Sequence, residues 1–295
     1  MTDATILVPT FRHAALLPYA LRSALAQESA ELELFVVGDG VEDDTRTALE
    51  PFLEDPRVRV FDFPKGARHG EAHRHEALRE ATGRIVCYLS DDDLLLPDHV
   101  AQMDRLLDAA DFAHSAPAWI EDTGELVYRP WNMARPEFDW LMRSGRSSVG
   151  LTGAAHTLEA YRRLPHGWRT TPPELPTDRY MWLQWLDLAG FRGVTSDRLT
   201  HLHFPEHQWR RFTDDQRAQL LADWLGRSRE PGFAEELDAM LRAAIRRAGE
   251  DLRIRAREAE LTLAAIQATR TWRVRSRLAD LRPLRALRAT RDAAR

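Results

Sequence analysis

Cysteine is almost missing from this chain of 295 residues: Cys87 stands alone. One cysteine forms no intrachain disulfide, and such a chain fits a reducing, cytoplasmic compartment. Its setting in the apolar run "RIVCYL" points to a small buried core residue rather than a nucleophile. Lysine is equally scarce, with Lys65 the single example and arginine supplying the other basic side chains. Long apolar runs are absent too. No stretch approaches the roughly 18 residues needed to cross a bilayer, and "MTDATILVPT" has no basic region before a long apolar segment, so no secretory leader is expected. A net charge of −5 gives no reason to expect nucleic acid as the main partner. Glycine is missing where a phosphate loop would need it, because "VPTFRHAALLP" contains none.

What is present is an ordinary globular composition, 44% apolar and 29% charged, long enough for one large domain and an appendage. "TILVP", "LELFVVGDG", "VRVFDF" and "RIVCYLS" read as buried strands. Between and after them lie helical patterns: Leu16, Leu17, Ala20, Leu21, Ala24 and Leu25; "EDDTRTALEPFLED"; "EAHRHEALREATG", with Gly83 as its C-terminal cap; and "PDHVAQMDRLLDAA", with Pro97 in its first turn. This fourfold alternation predicts an α/β fold with a parallel sheet and right-handed crossovers. From Ala116 to about Thr213 the pattern loosens. There "TDRYMWLQWLDLAG" predicts a helix with Thr177 as N-cap, and "GVTSDRLTHLHF" a short strand. Residues 214–268 read as helix, with Leu237, Leu241, Ile245, Ala248 and Leu252 on one stripe.

Ligands of parallel α/β sheets bind beyond the carboxyl ends of the strands. Three motifs fall there: "PTF" after the first strand, Asp39 after the second, and Asp91, Asp92 and Asp93 after the fourth. Adjacent carboxylates repel, the more so in a low dielectric. Either a cation relieves the trio or it merely favours a helix start. Histidines 69, 73 and 75, with 201, 203 and 207, raise zinc as an option, but no His-Glu-x-x-His motif or cysteine pair supports it.

Residues 5–100 resemble the nucleotide-sugar-binding half of the family 2 glycosyltransferases of GT-A fold. The resemblance is carried by "ILVPTF", "LFVVGDGVEDDT" and "AHRHEALREATGRIVCYLSDDDLLLP", and more weakly by "AYRRLPHGWR" and "PTDRYMWLQWL" up to His203. It implies a Rossmann-like GT-A domain over 1–213, split at 115/116 into donor and acceptor halves, with a helical extension over 214–295. It further implies an inverting transferase that uses Mn²⁺ or Mg²⁺ to move a sugar from a UDP- or dTDP-sugar to a glycan or glycolipid. Pro9, Thr10, Phe11, Asp39, Arg74 and Asp91 would bind the nucleotide-sugar. Asp92, Asp93 and His203 would serve the metal, and Asp178 would be the general base. The sequence departs from the family pattern at Arg12, Gly38, His75, Ser90 and Thr177. The departures at Gly38, His75 and Thr177 suggest one rival, a nucleotide-sugar sensor without turnover; a second is a sugar nucleotidyltransferase, which also uses an α/β nucleotide site with carboxylates on a metal. The latter would want the glycine-rich loop that is missing.

The end of the chain is distinct. Nine arginines oppose two aspartates over 270–295, a basic appendage on an acidic body. Trp272, Val274, Leu278, Leu281 and Leu284 suggest an amphipathic helix lying on the inner face of an anionic membrane, although Pro283 interrupts it. A solvated helix, or a homodimer contact through the Leu237 stripe, is the alternative.

Overall fold

A computed structural model describes residues 3–28, 31–147 and 149–269. The chain forms two compact units, Met1–Ile245 and Arg246–Arg295. The first opens with β1 (Ala4–Thr10), α1 (Leu17–Leu25), β2 (Leu32–Asp39), α2 (Asp43–Leu49), β3 (Val58–Phe63), α3 (Glu71–Leu78) and β4 (Ile85–Tyr88), the alternation expected from the apolar runs. Next come β5 (Leu94–Leu95), α4 (His99–Leu106), β6 (Phe112–His114), β7 (Ala118–Ile120), β8 (Leu126–Tyr128), α5 (Glu137–Ser144), β9 (Ala154–Thr157) and α6 (Leu158–Arg162). The elements after these are α7 (Thr177–Leu186), β10 (Gly193–Thr195), β11 (His201–Leu202), α8 (Glu206–Trp209), α9 (Asp214–Arg227) and α10 (Phe233–Ala268).

The main sheet runs β10-β6-β9-β4-β1-β2-β3. All its neighbours pair in parallel except β9, which is antiparallel to both β4 and β6. β1 is buried along nearly its whole length, as a central strand covered on both faces should be. Its neighbours are β2 on one side and β4 on the other. The strand order therefore reverses between β1 and β4, which places a crevice beyond their carboxyl ends.

Two apolar layers cover the sheet. One gathers Phe35, Tyr88, Trp168, Trp182 and Trp185; the other gathers Ile6, Leu21, Val36, Cys87 and Met103. A third core joins Leu16, Leu94, Leu202 and Phe204 to Leu221 and Trp224 of α9 and to Phe233, Leu237 and Leu241 of α10. Residues 214–245 thus lie within the first unit, whereas the sequence puts a boundary at 213/214.

Local expectations differ from the structure at four further points. α3 ends at Leu78 rather than at Gly83. Gly83 is needed for close approach instead, since a Cβ there would lie 2.4 Å from Thr5 N. Pro97 precedes the α4 cap, Asp98. Thr177 is the first residue of α7, not its cap. Pro231 and Gly232 divide the C-terminal helical stretch in two, and beyond Ile245 its stripe is open, with Leu252 and Leu263 each 50% exposed. The arginine-rich tail, with its expected amphipathic helix, lies outside the described residues. No described helix is long and apolar enough to cross a membrane.

Candidate active site

β1 delivers Pro9, Thr10 and Phe11 to the crevice, and the turn after β4 delivers the three aspartates. The two loops are bonded together. The Phe11 N–H donates to Asp91 Oδ2 at 3.2 Å, and His13 Nδ1 lies 2.8 Å from Asp91 Oδ1. Arg12, between them, holds a left-handed backbone with φ of 61°. Asparagine tolerates that conformation better than arginine. The hydrogen bond that His13 donates to the Asp91 carboxylate outweighs burial and lifts the His13 pKa to about 9. His13, Asp91 and Asp92 each offer a ligand atom within 4.8 Å of the others.

The three aspartates do different jobs. Asp92 Oδ2 accepts from Arg217 Nη2 of α9 at 2.8 Å, and both side chains are largely buried. Burial, with the charges of Asp93 and Asp91, raises the Asp92 pKa against the pull of His13 and Arg217. Asp93 is fully buried and spent within the protein. It accepts from the Thr152 hydroxyl and from Phe204 N at 2.8 Å, and sits 2.9 Å from His203 Nδ1. Asp93 and His203, expected beside Asp92 as metal ligands, are therefore paired with each other. The group that converges is His13, Asp91 and Asp92. His13 went unread because only the strand order reveals that its loop faces Asp91. The Asp91–Asp92 oxygen set suits a hard divalent cation such as Mg²⁺ or Mn²⁺.

Asp39 ends β2 and is buried. Its oxygens receive Lys65 Nζ and Gly66 N, each at 2.6 Å. Gly70, at φ +62°, packs so closely that a Cβ would come within 2.4 Å of Asp39 Cγ. Lys65 Nζ and the Arg12 guanidinium each lie 4.9 Å from the centre of the Phe11 ring. Phe63 stacks on His73, with centroids 4.5 Å apart.

α3 supplies Arg74, 6% exposed, against the Trp168 ring at 4.6 Å. Its Nη2 reaches only His69 O, at 3.5 Å, while Nε and Nη1 find no acceptor among the described residues. A buried guanidinium so poorly served suits an anionic ligand. Asp178, at the start of α7, acts on Arg74 electrostatically. Burial raises the Asp178 pKa, opposed by Arg74, His203 and the Leu151 amide. Thr177 Oγ1 donates to Glu71 Oε1 at 3.0 Å, locking α7 to α3. Glu71, wholly buried, is a second residue that sequence reasoning missed; a glutamate in the first turn of a helix reads as an exposed dipole partner.

Thr152 and His203 also line a cavity of about 540 Å³ together with His114, Trp119, Trp131 and Arg129. The crevice thus joins a carboxylate cluster, a poorly paired buried guanidinium, a carboxylate of raised basicity and an aromatic-walled cavity.

The model for glycosyl transferase family 2 matches residues 5–166. The GalNAc(5)-diNAcBac-PP-undecaprenol beta-1,3-glucosyltransferase of Campylobacter jejuni is 31% identical over 97 residues, 32% of this chain and 31% of that protein. The first curated relatives are matched over about a third of their own length. Among solved structures, S. aureus TarS in complex with UDP-GlcNAc superposes with a TM-score of 0.56 at 15% identity, covering 82% of this chain and 71% of that one. The mannosyltransferase PcManGT of Pyrobaculum calidifontis, in complex with GDP-Man and Mn²⁺, gives 0.51 at 21% identity, covering 93% and 84%. The fold is that of the GT-A glycosyltransferases, with a mainly parallel sheet.

Proposed function

The chain belongs to glycosyl transferase family 2, and we propose on that premise that it is a metal-dependent, inverting transferase. It moves a sugar from a UDP- or dTDP-sugar to a hydroxyl of a glycan or glycolipid. The observation that carries this reading is the convergence of His13, Asp91 and Asp92 at the β1/β4 reversal. A lipid-linked acceptor is favoured by the undecaprenol in the name of the Campylobacter relative.

Asp92 with Asp91 would hold the divalent ion, which when bound stabilises the departing diphosphate as a Lewis acid. Asp93 fixes His203 through Nδ1 and leaves Nε2 for the ion or the diphosphate. Asp39 and the Pro9–Phe11 turn would receive the base. Arg74 would meet the diphosphate or the base with its unpaired N–H groups. Asp178 would take the acceptor proton; a raised pKa makes it a stronger base, and such catalysis contributes roughly a hundred- to ten-thousand-fold. One base on the face opposite the leaving group gives in-line attack and inversion. Membrane contact, if the acceptor is a lipid, would fall to the nine arginines of the tail.

Thermal-shift titrations with UDP, dTDP, GDP and CDP, with and without Mn²⁺, test the donor class. A Mn²⁺-enhanced shift with UDP or dTDP is expected, followed by slow hydrolysis of the matching sugar nucleotide. Binding without any turnover would favour the sensor. Release of pyrophosphate from a nucleoside triphosphate with a sugar phosphate would favour the nucleotidyltransferase.

A further inference from the structure

The family match ends at residue 166, yet one charged group in the crevice comes from far beyond it. α9 starts with a capping box: Thr213 Oγ1 accepts from Gln216 N, and the Gln216 side chain accepts from Thr213 N. The Arg217 N–H donates to Thr213 O, so its backbone is fixed in the first turn. Trp224 and Leu221 anchor the helix in the third core. From this base Arg217 reaches Asp92 with one nitrogen, at 2.8 Å. Among the described residues its guanidinium has no other hydrogen-bond acceptor, although the group carries five N–H donors. Its side chain is only 12% exposed.

Charge balance says what such a group is for. With His13 set against Asp91 and His203 against Asp93, a divalent ion alone still cannot neutralise Asp92 and a diphosphate, and the deficit grows as the leaving group departs. Arginine is the side chain whose planar fork matches phosphate oxygens bidentately, and it is weakly hydrated enough to be held in a buried site.

We propose that Arg217 is a diphosphate ligand: the guanidinium that rests on Asp92 turns its free N–H groups to the phosphates of the donor and of the departing nucleoside diphosphate. α9 is then part of the donor site rather than an appendage to it. This rests on the glycosyltransferase reading given above.

Calorimetry on the full chain with Mn²⁺ tests it, using whichever of UDP, dTDP, GDP and CDP binds the unaltered protein most tightly. The bare nucleoside is followed in parallel by ligand-observed NMR. Arg217→Gln is expected to weaken the diphosphate about 10- to 100-fold, the range for charge-assisted bonds, and to leave the nucleoside within about twofold. Arg217→Lys, which keeps the charge but loses the fork, is expected to fall between, at least about threefold weaker. Equal or tighter diphosphate binding by Arg217→Gln overturns the proposal, as does an equal loss for nucleoside and diphosphate, while nucleotide binding by the unaltered protein leaves the wider reading standing. If Arg217→Gln fails to fold, undiminished diphosphate affinity in Arg217→Lys overturns it. If the unaltered protein binds no nucleoside diphosphate, both readings fall.

Discussion

Replacing His156 by glutamine isolates one buried group whose charge state the fold dictates. His156 sits in β9, wholly buried. Its Nδ1–H donates to Thr157 O at 3.0 Å, so Nε2 must accept, and it does so from the Tyr88 hydroxyl at 2.8 Å. That hydroxyl in turn accepts from Trp168 Nε1 at 2.8 Å. A proton on Nε2 would leave the Tyr88 hydroxyl with no acceptor and place a charge in the core. Burial accordingly pushes the His156 pKa down to about 3 from an ordinary 6.5. A depressed histidine binds its proton more readily in the unfolded chain. The stability it gives is therefore complete above pH 6.5 and is lost as pH falls toward 3. Between about pH 7.5 and pH 5 that loss amounts to roughly 2 kcal/mol. Glutamine cannot titrate. The variant should be less stable by about 1–3 kcal/mol near pH 7.5, through imperfect pairing of Tyr88. Its deficit should shrink by roughly 2 kcal/mol near pH 5. Every other titrating group is common to both proteins and cancels in the comparison, including Asp92 and Asp178, whose raised pKa values act in the opposite direction. Urea unfolding followed by tryptophan fluorescence reads the effect. With a slope of about 3 kcal/mol per molar, the midpoints should converge by roughly 0.7 M. A gap that stays constant within about 0.2 M over this range would refute the assignment of a neutral buried imidazole.

Three further outcomes are expected. Asp178→Asn should retain donor binding by calorimetry and lose transfer by roughly a hundred- to ten-thousand-fold; undiminished transfer would remove Asp178 from the base role. Asp92→Ala should abolish the Mn²⁺-dependent part of the nucleotide thermal shift while keeping the remainder, and an unaltered Mn²⁺ response would place the ion elsewhere. Gly70→Ala puts a methyl group 2.4 Å from Asp39 Cγ at a φ of +62°. It should weaken nucleoside binding by about 5- to 150-fold, because close overpacking costs about 1–3 kcal/mol; NMR titration with uridine showing equal affinity would mean that Asp39 does not meet the base.

Much of the first hundred residues could be read in advance, because parallel strands buried on both faces are near-continuous apolar runs and the helices between them keep a helical period. β1, β2, β3 and β4 were legible for that reason, and so was the edge on which the Pro-Thr-Phe turn, Asp39 and the aspartates gather. β9 was not: "AAHT" is four residues with no alternation, and its place between β4 and β6 is set by pairing rather than by its own composition. Thr177 looked like a cap because threonine caps helices, whereas its hydroxyl answers to Glu71, over a hundred positions away.

The sequence alone therefore determined the layered α/β class, the order of the donor-side elements and the kinds of side chain at the sheet's carboxyl edge, since each depends on local periodicity and composition. Only the tertiary structure decided which aspartate faces which partner. Asp91 meets His13 from the neighbouring strand, Asp92 meets Arg217 from a helix beyond the family match, and Asp93 turns inward to Thr152, His203 and Phe204. Three identical residues in a row carry no local signal that tells them apart. The direction in which a turn points each carboxylate, and the cation it finds there, are set by chain segments 59 to 125 residues away in sequence.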